Sequence, residues 1–74
     1  MPEEMRDRLK VALDRHFSLN ELSELSFDLG IDFENIPGDI KSAKVIGLIK
    51  YAERHSKFDM LVTAVRARRA DANL

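Results

Sequence analysis

The sequence predicts an all-α protein, a single small bundle with four clear helices and one short helical turn. In four separate segments, apolar residues recur at the three- and four-residue spacing of a helix face. No segment shows the strict alternation of a half-buried strand. At 74 residues the chain suffices for one domain with a thin core, which leaves little room for a deep catalytic cleft.

The first helix is expected from Pro2 to about Arg15. Proline and acidic residues favour a helix start, whereas Arg15 and His16 suit its end through the sign of the helix dipole. The apolar stripe of this helix consists of Met5, Leu9, Ala12 and Leu13.

The second helix, at about 19–29, has the strongest local pattern in the chain. Ser18 followed by Glu21 is a capping box, and Phe17 with Leu22 forms a hydrophobic staple. Gly30 provides a stop. The apolar stripe consists of Leu22, Leu25 and Leu29.

A connection follows, with one short turn expected at 33–35 and a turn signal at Pro37-Gly38. Asp39 or Ser42 can cap the next helix, which is expected to run to about 55. Its core stripe consists of Val45, Leu48, Ile49 and Ala52.

Ser56 with Asp59 forms a weaker capping-box pattern for a last helix that ends near Arg69. The buried stripe of that helix consists of Phe58, Leu61, Val62 and Val65. We therefore expect one domain over residues 1–69, and a frayed tail or a linker to a following domain over 70–74.

Candidates for catalysis are few. There is no cysteine, and the two histidines, His16 and His55, each end a predicted helix. No metal-ligand spacing or phosphate-binding glycine loop occurs, so we expect no enzyme, no cofactor and no metal. No apolar run reaches the roughly 18 residues of a membrane span. The start of the chain lacks a signal-peptide pattern, so the expected location is the cytoplasm and no membrane partner is expected.

Charge is strongly segregated although the net charge is only −1. Residues 17–40 carry six acids and no Lys or Arg, whereas residues 41–70 carry eight bases and two acids. The predicted acidic face consists of Glu21, Glu24 and Asp28 on the second helix, followed by Asp32 and Glu34. The predicted basic face consists of Lys44, Lys50, Tyr51 and Arg54. Both stripes could be ordinary solvated faces, but opposite patches on different helices could also join copies head to tail.

Nucleic-acid binding is the alternative. Basic residues cluster near the last helix, and two helices joined by a short turn could form a helix-turn-helix. These residues are Lys57, Arg66, Arg68 and Arg69. A net charge of −1 disfavours phosphate binding, so we expect no nucleic-acid partner, with a small helical DNA-binding or regulatory protein as the alternative function.

The run from His16 to Gly38, HFSLNELSELSFDLGIDFENIPG, resembles the bacterial death-like domains, also called effector-associated domains. The segments KSAK at 41–44 and LIKYAER at 48–54 resemble the next helix of that family, and the similarity covers about residues 5–65. The resemblance implies a compact five- to six-helix death-fold bundle of Greek-key topology. The third helix would be short, and the sixth short or absent, because no helix is evident after Arg69.

The resemblance also implies a function. Such domains associate homotypically with like domains, on another copy or on an effector protein. They recruit or oligomerise effectors such as a protease or an NTPase in bacterial immune or conflict systems. In this family the second and third helices of one copy stack on the first and fourth of the next, and the two charged faces fall on two such surfaces. A homo-oligomer or helical assembly is therefore expected.

Overall fold

A computed structural model describes residues 3–72 and 74, and the regular secondary structure within them is entirely helical. The α-helices are α1 (Glu3–His16), α2 (Leu19–Asp28), α3 (Lys41–Arg54) and α4 (Phe58–Arg68). Two 3-10 turns lie at Phe33–Asn35 and Ala70–Ala72. The all-helical prediction is confirmed, but four α-helices are found in the described residues rather than five or six. The expected helix start at Pro2 lies outside those residues.

All four predicted apolar stripes face a single core. Every residue predicted to be in them is buried, except Met5, which is partly buried and packs against the core. Three further apolar side chains enter this core from the connections: Phe17, Ile31 and Ile36. In this bundle α3 is central, since it packs against α1, α2 and α4, while α2 also packs against the first 3-10 turn.

The predicted capping box of α2 is confirmed. The backbone N–H of Glu21 donates to Ser18 Oγ at 3.1 Å, and the backbone N–H of Ser18 donates to Glu21 Oε1 at 3.0 Å. At the other end Gly30 has φ +70°, and the Ile31 N–H donates to the carbonyl of Ser26 at 2.8 Å. That bond closes the wider of the two hydrogen-bonded loops of a Schellman motif, so the predicted glycine stop is also confirmed.

The predicted caps of the two later helices are wrong. Ile40 is the N-cap of α3 and makes no side-chain cap hydrogen bond, so neither Asp39 nor Ser42 acts as the cap. Ser56 has φ +58° and ends α3, because the next N–H, that of Lys57, donates to the carbonyl of Ala52 at 2.7 Å. A left-handed residue in that position cannot also supply the extended N-cap of α4.

Beyond α4, some of the last described residues contact the bundle, and the predicted frayed tail or linker over 70–74 stays a prediction. After the 3-10 turn at Ala70–Ala72, Leu74 is partly buried and packs against the core. Arg66 Nε donates to the carbonyl oxygen of Leu74 at 3.1 Å. Leu74 therefore contacts the bundle through its apolar side chain and one hydrogen bond.

Within the described part of the chain, no helix combines the length and the apolar character needed to cross a bilayer.

Candidate protein-interaction surfaces

The acidic stripe on α2 lies against the basic end of α4. Arg68 forms an ion pair with Asp28, and its Nη1 lies 3.7 Å from Glu24 Oε2. The next residue, Arg69, places Nη2 3.4 Å from Glu21 Oε2. Each carboxylate of the stripe therefore has a cation beside it within the molecule. The sequence did not show this pairing, because α2 and the end of α4 are about 40 residues apart.

The two remaining residues of the predicted acidic face flank the first 3-10 turn and differ in role. Asp32 caps the turn: its Oδ1 accepts the backbone N–H of Glu34 at 3.2 Å, and its Oδ2 accepts Asn35 Nδ2 at 2.8 Å. Glu34 is exposed, and its carboxylate has no ion pair among residues 3–72 and 74. Glu34 is thus the acidic side chain of this face that is left open to a partner.

Lys44, a member of the predicted basic face, makes its contacts within the fold. Its Nζ donates to the carbonyls of Phe33 at 3.2 Å and Ile36 at 2.5 Å, and it lies 5.0 Å from the centroid of the Phe33 ring. The ammonium group thereby holds the connection between α2 and α3 against α3. The contacts of Lys44 therefore stabilise the fold itself.

The other three members of the predicted basic face are more accessible. Tyr51 is half-buried, and its ring stacks on His55 with centroids 4.2 Å apart. Lys50 and Arg54 are exposed, and neither forms an ion pair with another described residue. These two cations form the open part of the face, and their binding to a partner stays a prediction.

Phe27 is a candidate that the sequence reading missed. Its side chain is 83 % exposed, the most exposed of the large apolar residues that the structure describes. It borders a groove of about 320 Å³ between α2 and the first 3-10 turn, here called the Phe27 groove. The groove is lined by Ser23, Phe27, Ile31, Asp32, Phe33 and Glu34. A helical projection could have identified this residue, since an aromatic ring on the polar side of α2 departs from its apolar stripe.

A second groove, of about 210 Å³, lies between α1 and α3 and is here called the α1–α3 groove. It is lined by Arg6, Asp7, Lys10, Ile46 and Ile49. Arg6 Nε is 2.8 Å from Glu53 Oε2, an ion pair that lacks hydrogen-bond geometry. Lys10 is exposed and unpaired among the described residues, and Ile46 is 38 % exposed. The groove thus combines an apolar floor with an available positive charge.

A family model described as effector-associated domain 7 matches residues 7–70. The chain belongs to this family. The match confirms the resemblance to effector-associated domains and associates the chain with effector proteins. Comparisons with curated proteins and with solved structures gave no match.

The cations on which the DNA-binding alternative depends make contacts within this effector-associated domain. Arg68 and Arg69 contact carboxylates of α2, and Arg66 donates to the carbonyl of Leu74. Lys57 Nζ donates to the carbonyl of Leu29 at 2.8 Å. Binding phosphates would require these contacts to compete with the nucleic acid, which disfavours the DNA-binding alternative.

Proposed function

We propose that this effector-associated domain is an adaptor that binds like domains and thereby recruits or oligomerises effector proteins. The effectors would be a protease, an NTPase or a similar protein of a bacterial immune or conflict system, in the cytoplasm. The domain works by protein contact, without catalysis, cofactor or metal, and without a nucleic-acid or membrane partner. The observation that carries the proposal is the separation of the open charges: Glu34 beside the first 3-10 turn, and Lys50 with Arg54 on α3.

The proposed topology is the death fold, and the order of the elements supports it. The 3-10 turn at Phe33–Asn35 stands where the family has a short third helix, so α3 and α4 correspond to the fourth and fifth helices. The turn at Ala70–Ala72 stands in the place of the sixth. On this assignment Glu34 lies on the side formed by the family's second and third helices. Lys50 and Arg54 lie on α3, which corresponds to the family's fourth helix.

Open charges of opposite sign on different elements favour a head-to-tail contact between copies. Such a contact uses two different patches, so each copy retains one free patch and the assembly can close into a ring or extend as a helix. Opposite charges accelerate the encounter and fix the register more than they add affinity. An exposed ion pair contributes only about 0–1 kcal/mol, so reversing a charge is more informative than removing it.

Charge reversal tests the proposal. Glu34→Lys and Lys50→Glu should each weaken self-association at low salt, because each places like charges across the contact. Mixing the two variants should restore it, since the reversed charges then oppose each other and the remaining contacts are native. Light scattering of the single variants and of the mixture measures this.

Glu34 is a better choice than Glu24 because Glu24 also pairs with Arg68, so its reversal would disturb the fold. Glu3→Lys is the matched control, since Glu3 is exposed on α1 outside both charged faces. Self-association at wild-type strength by both Glu34→Lys and Lys50→Glu would contradict the proposed charge contact.

A further inference from the structure

The end of α4 contacts the acidic stripe of α2 through two consecutive arginines. Arg68 is the last residue of α4; it pairs with Asp28, and its Nη1 lies 3.7 Å from Glu24 Oε2. Arg69 is the C-cap of α4, and its Nη2 lies 3.4 Å from Glu21 Oε2. The fork of the Arg68 guanidinium thus reaches two carboxylates at once, one through each terminal nitrogen.

The two contacts of Arg68 lie at the surface, where ion pairs exchange without disturbing the core. With both contacts formed, the side chains of Glu24 and Asp28 are still 67 % and 54 % exposed. Glu21 differs, because its Oε1 also accepts the backbone N–H of Ser18 in the capping box and belongs to the fold. Glu24 and Asp28 are therefore the carboxylates of the stripe that become available when Arg68 moves away.

We infer that Arg68 is an autoinhibitory latch, which occupies Glu24 and Asp28 in place of the basic side chains of a second copy. The inference rests on the proposed homotypic association and adds a regulation of that contact. With the latch closed, Glu34 is the open acid that a copy presents. With the latch open, Glu24 and Asp28 join it, and the acidic face reaches the extent that the sequence predicts.

Arg68 and the cations of a partner compete for the same acceptors. Lys50 and Arg54 are exposed and form no ion pair with another described residue, so they are the cations that would replace Arg68. Arg68 has the advantage at low protein concentration, because α4 holds it beside α2 whereas a partner must first be encountered. The latch therefore raises the concentration at which copies assemble, and copies that are held close together overcome it.

The size of the effect follows from the fraction of copies in which the latch is open. A partner that needs the open state binds with an affinity reduced by that fraction. Each exposed ion pair shifts such an equilibrium by up to about fivefold, and Arg68 makes two contacts. We therefore expect the latch to weaken self-association by about three- to tenfold.

Arg68→Gln opens the latch and tests it. Sedimentation equilibrium of the 74-residue chain at low salt and several concentrations should show association about three- to tenfold tighter than that of wild type. Net charge alone predicts the opposite, since the chain is already at −1 and the loss of a cation increases the repulsion between copies. The sign of the change therefore separates the two explanations.

Two controls on charge accompany this variant. Arg66→Gln removes the same charge from the same helix, but Arg66 Nε donates to the carbonyl of Leu74 and not to a carboxylate of α2. This variant should therefore associate no more tightly than wild type. Adding Glu24→Gln and Asp28→Asn to Arg68→Gln should abolish the gain, because the uncovered side chains are then neutral.

Folding is checked separately. The melting temperature of Arg68→Gln, measured at a concentration where the variant is monomeric, should match that of wild type within a few degrees. If it is much lower, Arg68→Met replaces Arg68→Gln, because methionine keeps an apolar stem at this position and still lacks the guanidinium.

The outcomes distinguish this inference from the proposed function. If wild type associates and Arg68→Gln associates equally or more weakly, the latch is overturned and the proposed function still stands. A gain that persists in the triple variant, or that Arg66→Gln reproduces, also overturns the latch. A gain confined to Arg68→Gln, even from a monomeric wild type, supports it. If wild type and Arg68→Gln are both monomeric at every concentration, the proposed function itself fails, and the latch fails with it.

Discussion

Three lysines of this domain hold neighbouring segments together by donating hydrogen bonds to backbone carbonyl groups. Lys44 binds the carbonyls of the segment between α2 and α3, and Lys57 binds that of Leu29 just beyond α2. Lys41 Nζ donates to the carbonyl of Asp14 at 2.6 Å, in the last turn of α1. Lys41 and Lys57 donate to carbonyls at the C-terminal ends of α1 and α2, where the helix dipole favours a cation. Lys44 shares the Phe33 carbonyl with the Ile36 N–H.

These roles could not be predicted from the sequence. Helical spacing gives the direction of a lysine relative to its own helix, but the acceptor belongs to another segment whose position depends on the whole fold. Of the predicted basic face, Lys50 and Arg54 are exposed, whereas Lys44 donates to the connection between α2 and α3. Binding of a partner by this face stays a prediction.

Gly47, in the middle of α3, gives a prediction at the residue scale. A Cβ at this position would clash with Ile36 Cγ2, a methyl group of a β-branched side chain that has little freedom to rotate away. Alanine gains about 1 kcal/mol in helix propensity over glycine, whereas overpacking costs about 1–3 kcal/mol. We expect Gly47→Ala to lower the free energy of unfolding by about 1 kcal/mol net.

Urea denaturation of Gly47→Ala, alone and combined with Ile36→Leu, checks this expectation. Leucine has no γ2 methyl, so the alanine should cost less in the Ile36→Leu background than in wild type. A Gly47→Ala variant that is more stable than wild type would show that helix propensity outweighs the close contact with the connection.

At the scale of the elements, helix interiors were predicted well and helix ends unevenly. The apolar stripes specify which side of each helix is buried, and this depends only on spacing. The caps of α2 are local and were recognised as well. The turn between α3 and α4 was misread because Ser56 ends the first helix instead of beginning the second. Three residues, 55–57, make this connection, and a serine in the left-handed conformation has no sequence pattern as clear as that of glycine.

The capping box of α2 makes stability depend on pH in a stated direction. The backbone N–H of Ser18 donates to Glu21 and, with its hydroxyl and Arg69 contributing, holds the pKa of this carboxyl below its ordinary value. A carboxyl whose pKa is lower in the folded state than in the unfolded state stabilises the fold above the unfolded-state value, about 4.3. That contribution is lost as the pH falls through the folded-state pKa.

We therefore expect the urea midpoint of wild type to fall more steeply between pH 6 and pH 3 than that of Glu21→Gln. Glutamine still accepts the Ser18 N–H but does not titrate, so the difference between the two proteins isolates the charge. Parallel pH profiles for wild type and Glu21→Gln would mean that the bond does not distinguish the charged from the neutral carboxyl.

At the scale of the whole molecule, folding redistributes the charges that the sequence separates. The acidic block and the basic block were evident from composition, but the pairing between them depends on the topology that brings the end of α4 to α2. Arg68 and Arg69 there offset three carboxylates. What remains open is smaller than the predicted faces and is located at the first 3-10 turn and on α3. Prediction from sequence therefore reached the charge blocks and the fold class, but not the surface left for a partner.

The Arg68–Asp28 pair tests this redistribution directly through a double-mutant cycle. Both side chains are partly exposed, so the expected coupling is about 0.5–1 kcal/mol at low salt, decreasing as salt is added. Arg68→Ala, Asp28→Ala and the double variant are compared by urea denaturation. The matched control is the Arg8–Glu4 pair, 3.0 Å apart within α1, whose coupling should be about 0.2–0.5 kcal/mol.

The Arg68–Asp28 contact joins two different helices, whereas the control pair joins two turns of the same helix, so Arg68 also orders the end of α4 against α2. If its coupling is zero, the α2 carboxylates are effectively free, and the full acidic stripe becomes available to the basic face of another copy. A coupling at the upper end of the range instead restricts the acidic contribution to the region around Glu34, because any partner at the stripe must first compete with Arg68.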